Sequence, residues 1–299
     1  MDKNFFKKVR ILDGGMGQEL LKRSSDSPTS LWATQLMIDH PEIVKQVHND
    51  YFSAGADICT TNTYAIHRDR LLRAGKIADF ELLHQIACEV ANESRDNFGQ
   101  GLIAGSLGPL GWSYNSKSPV REEEATKLFE EIIHIQESLV DLFLIETVSS
   151  IDQGTGALKA ASRQAKPFWI AFSVADQDGT KLRSGEDLNS ISSLIDKYNP
   201  SAILLNCSTP EAISSGLSLL KHFDLPFGAY ANGFVEIVNE YKTSGSTVDL
   251  LPVREDLTPE KYADFVSTWV DLGATIIGGC CEVGPEHIGE LAKRFKGLK

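Results

Sequence analysis

Three cysteines carry the most specific chemistry in this sequence. Gly278-Gly279-Cys280-Cys281 closes the apolar run Ala274-Thr275-Ile276-Ile277, and Cys207 closes the run Ala202-Ile203-Leu204-Leu205-Asn206. In a regular strand neighbouring side chains point to opposite faces, so adjacent cysteines do not share a target. Two glycines ahead of them relax that restriction, because glycine adopts backbone angles closed to other residues. Both sulfurs can then turn to one point beyond the strand end, where Cys207 arrives from a second strand. Three thiolates so placed make a zinc site with a fourth position left for a substrate. The competing reading is three small buried side chains, since free cysteine is among the most buried residues. The coincidence of all three at strand ends weighs against it. Cys59, inside an apolar run, and Cys88, on an apolar helix face, take the buried reading.

Glu146 ends the apolar run Leu142-Phe143-Leu144-Ile145. A carboxylate in that place must pair or face a cavity, because an unpaired buried charge is costly. Its partner is either a cationic group on a ligand or a structural lysine or arginine. Asp13-Gly14-Gly15-Met16-Gly17 resembles a nucleotide loop only in part: the third glycine of GxGxxG is missing, and no acidic residue follows a second strand at the required distance. Its glycines fit a backbone that approaches a small ligand closely. The seven histidines show no metal spacing such as HExxH. His84 and His134 fall within helical patterns and are expected at the surface or boundary.

The elements that must position these residues recur regularly. Short apolar, β-branched runs at 10–14, 56–61, 102–106, 142–146, 168–173, 202–206, 226–230 and 275–278 read as strands. Between them apolar residues return every three or four positions, as in Ile43-Val44-Val47-Tyr51-Phe52, which reads as helix. Ser118-Pro119 ahead of Glu122-Glu123-Glu124 reads as a helix start with a solvated acidic first turn. Eight strand–helix units in one chain of this length predict a (β/α)8 TIM barrel, with a doubly wound sheet as the competing arrangement. No linker, low-complexity tract or repeat divides the chain, so the barrel is expected to be a single domain over residues 1–299. Barrel chemistry gathers at the carboxyl ends of the strands, where Asp13, Asn62, Tyr64, Glu146, Cys207, Asn232 and Cys280-Cys281 all fall. The irregular segment 232–256 then becomes a long loop on the catalytic face.

Composition narrows the partners. A formal charge of -12 and the absence of a Lys/Arg cluster exclude a nucleic-acid partner. Met1-Asp2-Lys3-Asn4-Phe5-Phe6-Lys7-Lys8 has no apolar stretch of signal-peptide length, and no segment reaches the roughly 20 apolar residues of a membrane span. Five cysteines are too few and too odd in number for a disulfide framework, and suit a reducing cytoplasm. Oligomeric state is left open.

Asp13-Gly14-Gly15-Met16-Gly17, Gln46-Val47-His48-Asn49-Asp50-Tyr51-Phe52-Ser53-Ala54-Gly55-Ala56-Asp57, Thr60-Thr61-Asn62-Thr63-Tyr64, Gly105-Ser106-Leu107-Gly108-Pro109, Ile145-Glu146-Thr147, Asn206-Cys207 and Gly278-Gly279-Cys280-Cys281 stand in the order of a known pattern. Together they resemble the homocysteine S-methyltransferase family over nearly the whole chain. The resemblance implies a zinc-containing barrel with Cys207, Cys280 and Cys281 as metal ligands. It implies that Asp13 and Glu146 hold the amino-acid end of homocysteine, that the Gly14 backbone meets its carboxylate, and that Tyr64 lies near the metal. Small-molecule substrates follow: homocysteine and a methyl donor. No folate or cobalamin domain fits in 299 residues, which points to a small onium donor. Leu31-Trp32-Ala33 and the His48-Asn49-Asp50-Tyr51 helix resemble members that use S-methylmethionine, whose polar groups Asn62 and Asn232 could anchor. Betaine or another donor, another thiol acceptor, and an inactive zinc-barrel binding protein are the alternatives. A betaine pocket would need an aromatic cage, for which Trp32, Tyr64 and Tyr230 are the candidates.

Overall fold

The computed structural model describes residues 4–24, 29, 31, 33–238, 241 and 250–298. Each of the eight expected strand positions holds a strand: β1 (Arg10–Ile11), β2 (Ile58–Thr60), β3 (Leu102–Leu107), β4 (Leu142–Val148), β5 (Phe168–Phe172), β8 (Ala202–Asn206), β9 (Phe227–Ala231) and β10 (Ile276–Gly279). All pair in parallel, in the order β1-β10-β9-β8-β5-β4-β3-β2, and a single parallel bridge, Leu12 to Ile58, closes the ring between β1 and β2. The sheet is thus a (β/α)8 barrel. β1 is shorter than the expected 10–14, because the chain leaves the ladder to bring Asp13 across to β2, where its carboxylate takes the Thr60 amide. β4 runs two residues past Glu146, so that carboxylate sits within its strand and not at its end.

Alternation along the strands separates two cores. Leu12, Ile58, Ala104, Leu144, Trp169, Leu204 and Ile276 point into the barrel. Phe5 and Phe6 plug its floor, with ring centroids 6.4 and 6.0 Å from Trp169. The alternate residues, such as Ile11, Ile103, Phe143, Ile170 and Ile277, face the surrounding helices. Helix α3 (Pro41–Ala54) shows how local chemistry bounds an element: Pro41 opens it and Gly55, at φ 107°, ends it. The helix at α6 (Glu122–Gln136) starts later than Ser118-Pro119 suggests, with Arg121 as its cap. Its acidic first turn is solvent-facing as expected, and Glu122 pairs with Lys159 at 2.7 Å.

Two expectations fail here. The sequence reading has no counterpart to the antiparallel hairpin β6 (Val174–Ala175) and β7 (Asp178–Leu182), inserted after β5. Asp178-Gly179-Thr180-Lys181-Leu182 has no apolar run to signal a strand. Only tertiary packing makes it one, since Gly179 lies so close to the Ala212 carbonyl that a Cβ would meet it at 1.8 Å. His84 is not at the boundary but fully buried on α5 (Phe80–Phe98), where Nδ1 meets Gln136 Nε2 at 3.0 Å. A helix wrapped on two sides buries more than the single stripe its periodicity shows. His134, by contrast, is 84% exposed. Among the described residues no helix is long and apolar enough to cross a membrane.

Candidate active site

A narrow cavity of about 90 Å³ opens at the carboxyl ends of the barrel strands. Asp13, Gly14, Asn62, Tyr64, Glu146, Cys207, Cys280 and Cys281 all line it. On its floor lie the two carboxylates. Asp13 accepts from the Thr60 amide at 2.7 Å and from the Thr60 hydroxyl at 3.1 Å. Glu146 accepts from the Ser106 hydroxyl and, at 2.9 Å, from the Tyr230 hydroxyl. Neither has a lysine or arginine within ion-pair distance among the described residues. The structural-pairing alternative for Glu146 finds no partner among the described residues. Burial pushes the Asp13 carboxyl from its ordinary 3.8 up to about 8; the Thr60 amide opposes this, and the nearby Glu146 charge adds to it. Burial likewise raises Glu146, against the pull of the Ser106 and Tyr230 hydroxyls. Two buried carboxylates without a lysine or arginine beside them among the described residues could pair with a cationic group on a ligand.

The three sulfurs lie within 4.8 Å of one another. Cys207 and Cys280 are joined as a disulfide, and Cys281 is free. The expectation of free thiols throughout does not hold for this pair, because convergence on one point also brings two sulfurs within bonding reach. The reason for that convergence differs from the expected one as well. Gly278 and Gly279 keep extended backbone; what they supply is space. A Cβ on Gly278 would meet that of Leu12 at 2.6 Å, and one on Gly279 would meet Val283 at 2.1 Å. The turning is done by residues that bear side chains. Five non-glycine residues have positive φ among those described, and four of them flank the cavity: Tyr114, Thr147, Cys207 (49°) and Glu282 (62°). Such conformations persist only where the surroundings impose them, and they concentrate at working sites.

The remaining anticipated residues divide. Asn62 donates to the Ala33 carbonyl at 3.1 Å, and Tyr64 shares a 2.8 Å hydrogen bond with Ser113. Tyr230 lines the cavity with its hydroxyl committed to Glu146. Asn232 is not among the lining residues: it is buried, its Oδ1 accepting from the Phe234 amide at 3.2 Å and its Nδ2 without a partner among the described residues. Trp32 lies outside the described residues. In the long loop, Phe234, Ile237, Tyr241 and Leu251 pack with Tyr114, Cys207 and Cys281 in one apolar cluster above the cysteines.

Several residues went unnoticed in the sequence. Gln18, on α1 (Met16–Ser24), lines the cavity, and both atoms of its amide are buried without a hydrogen-bond partner among the described residues. A polar residue on the inner stripe of an amphipathic helix next to Asp13-Gly14-Gly15 was the available signal. Thr60 and Ser106 stand in the sequence motifs without a role assigned to them, and Tyr114 left no signal, since their contacts join strands far apart in sequence.

Fold and cavity define a barrel with thiols and carboxylates gathered in one cavity at its carboxyl face. A profile described as homocysteine S-methyltransferase matches residues 10–295. The chain belongs to the homocysteine S-methyltransferase family and is a methyltransferase. It is 29% identical to homocysteine S-methyltransferase YbgG of Bacillus subtilis (strain 168), over 97% of this chain and 95% of that one. It is 26% identical to a selenocysteine methyltransferase of Astragalus bisulcatus, over 96% and 92% of the two chains. Among solved structures, the metallated form of the homocysteine methyltransferase MmuM from Escherichia coli superposes with a TM-score of 0.80 at 24% identity, covering 96% of this chain and 97% of that one. The oxidized form of the same protein gives 0.81 at 24%, covering 96% of each chain. At that identity the likeness concerns the fold.

Proposed function

We propose that the protein moves a methyl group from a small onium donor, S-methylmethionine in first place, to the thiol of homocysteine, giving methionine. The observation that carries this reading is the joint placement, in one cavity, of three clustered sulfurs and two carboxylates that have no ion-pair partner among the described residues. The donor set fits zinc once Cys207 and Cys280 are reduced. Three thiolates are a soft set, and tetrahedral ligands at about 2.3 Å from a metal stand about 3.8 Å apart, within the span observed. Bound there, zinc would keep the substrate sulfur in its thiolate form at neutral pH.

The chain supplies the rest. Asp13 and Glu146, once ionised, hold the substrate ammonium, and Ser106, Thr60 and Tyr230 fix their orientation. The Gly14 backbone lies beside them for the carboxylate. Gln18 brings an unpaired amide to the same cavity, suited to a polar group of either substrate. Phe234, Tyr241 and Leu251 exclude water above the sulfurs. Positioning the two reactants in line then provides much of the acceleration.

S-methylmethionine is placed ahead of betaine because its own ammonium and carboxylate can use the polar side chains of the cavity, whereas betaine would rely on the faces of the lining tyrosines, of which the Tyr114 ring already carries the Arg183 guanidinium at 4.8 Å. A free three-thiolate centre needs a reducing compartment, hence a cytoplasmic location. The test is zinc content of the reduced protein, followed by methionine formation from homocysteine with S-methylmethionine and betaine side by side. Selenocysteine serves as a rival acceptor. Preference for betaine would overturn the donor assignment; turnover without bound metal would overturn the role of the cysteines.

A further inference from the structure

Cys207 is held by more than its own strand. Its carbonyl accepts from Arg183 Nη2 at 2.9 Å and from Ser173 Oγ at 3.3 Å. Arg183 directly follows β7, and its side chain is 5% exposed. The guanidinium meets Asp176, equally buried, through two parallel bonds of 3.0 and 2.9 Å, while Nε donates to Ser173 Oγ at 2.7 Å. So dry an ion pair adds little net stability, because the cost of desolvating two charges offsets their attraction. What it supplies is direction, since the planar fork fixes several partners at once.

Those partners belong to four different loops. Asp176 also accepts from the Thr209 amide at 3.2 Å, after β8, and from the Ile237 amide at 3.1 Å, after β9. The Tyr114 ring, in the loop after β3, lies under the guanidinium at 4.8 Å. Arg183 itself comes from the hairpin after β5. The four meet at Cys207, whose φ of 49° is one that a residue with a side chain keeps only under constraint. Cys280 and Cys281 are anchored separately: the Cys280 amide bonds to the Ala231 carbonyl at 2.9 Å and the Cys281 carbonyl to the Gly233 amide at 2.8 Å.

We propose that Arg183, locked by Asp176, is a positioning residue for Cys207. It holds the left-handed backbone that turns this thiolate toward the other two, and it ties that geometry to the Ile237 and Tyr114 segments covering the cavity. The inference rests on the reading of the three cysteines as metal ligands. Lysine cannot replace the device fully, because one ammonium does not satisfy Ser173, both Asp176 oxygens and the Cys207 carbonyl together.

The test uses the reduced, metal-free full chain titrated with Co²⁺, as wild type, Arg183→Gln and Arg183→Lys. Sulfur-to-cobalt charge-transfer absorption, affinity against a competing chelator, and thermal unfolding without metal are recorded for each. Wild type should show a three-thiolate spectrum. Arg183→Gln should bind about 10–100-fold more weakly, the range for loss of a group that orients a ligand. Its charge-transfer intensity should fall by about a third, one thiolate of three. Arg183→Lys should recover part of both. Unchanged affinity with a full three-thiolate spectrum in Arg183→Gln overturns the proposal and leaves the metal reading intact. A wild type without charge-transfer absorption overturns the metal reading, and the proposal with it. Should Arg183→Gln fail to fold, Arg183→Lys decides, and wild-type affinity there overturns the proposal.

Discussion

The rim and the floor of the cavity are organised by opposite means. On the rim, Cys207, Cys280 and Cys281 are placed by backbone: left-handed turns at Cys207 and Glu282, and glycines at 278 and 279 that let the chain pass Leu12 and Val283. On the floor, Asp13 and Glu146 are placed by side-chain and amide hydrogen bonds from Thr60, Ser106 and Tyr230. The difference follows from what each awaits. Thiolates must stay open toward a shared ligand, so the constraint comes from behind, through the main chain. Carboxylates have four lone-pair directions and can accept protein donors while keeping some for an incoming ammonium. A rim built on the backbone should fail all at once, and a floor built on hydrogen bonds should fail by degrees.

The largest effect should come from the rim. Cys281→Ala or Cys207→Ala should cost metal affinity at least about a hundredfold, more than loss of an orienting group alone, and abolish turnover while the barrel stays folded. Elemental analysis and far-UV circular dichroism on the same sample check both halves. Methyl transfer persisting in a metal-free variant would sink the contrast.

Asp13→Asn and Glu146→Gln should each weaken homocysteine binding by about 1.5–3 kcal/mol, one charge-assisted hydrogen bond, with zinc content unaltered. Calorimetric titration of the zinc-loaded variants gives the first quantity and metal analysis the second. Zinc loss in Glu146→Gln would show that floor and rim are one unit.

The raised Asp13 pKa sharpens the contrast through pH. Protonated Asp13 cannot hold an ammonium as an anion, so homocysteine affinity should rise with pH up to about 8. The sign for stability is opposite. A carboxyl raised from 3.8 to about 8 binds more protons in the folded state, so its contribution is full below 3.8 and lost as pH rises through 8. Asp13→Asn should therefore flatten the decline in melting temperature between about pH 5 and pH 9. A variant that declines as steeply as wild type would assign the slope to another group.

The smallest effect is expected outside the cavity lining. Asn232→Ala should lose about 1 kcal/mol of stability with its bond to the Phe234 amide, and leave the homocysteine KM unmoved. A large rise in KM for either substrate would return Asn232 to the binding site.

Much of this was legible in advance because it is written in local pattern. Apolar β-branched runs located all eight barrel strands, and chemical type at their ends marked Asp13, Glu146 and the three cysteines. The hairpin at 174–182 was invisible, since its strands are polar and acquire meaning only against α9 (Pro210–Leu220). His84 was misplaced for a related reason: periodicity shows one buried face, and α5 has neighbours on two. Asn232 lies outside the cavity lining, and sequence could not tell this because a residue just past a strand end can turn to either side of the barrel mouth.

The sequence by itself determined the strand count, the parallel barrel and the kinds of group gathered at its carboxyl face, because each depends on short-range alternation and residue type. Only the tertiary structure decided that Asp13 bonds to Thr60, that Glu146 bonds to Tyr230, that Arg183 grips Cys207, and that Cys207 and Cys280 come within bonding reach. These are meetings between strands and loops 24 to 84 residues apart. Closing the ring sets their distances, and no local pattern encodes it.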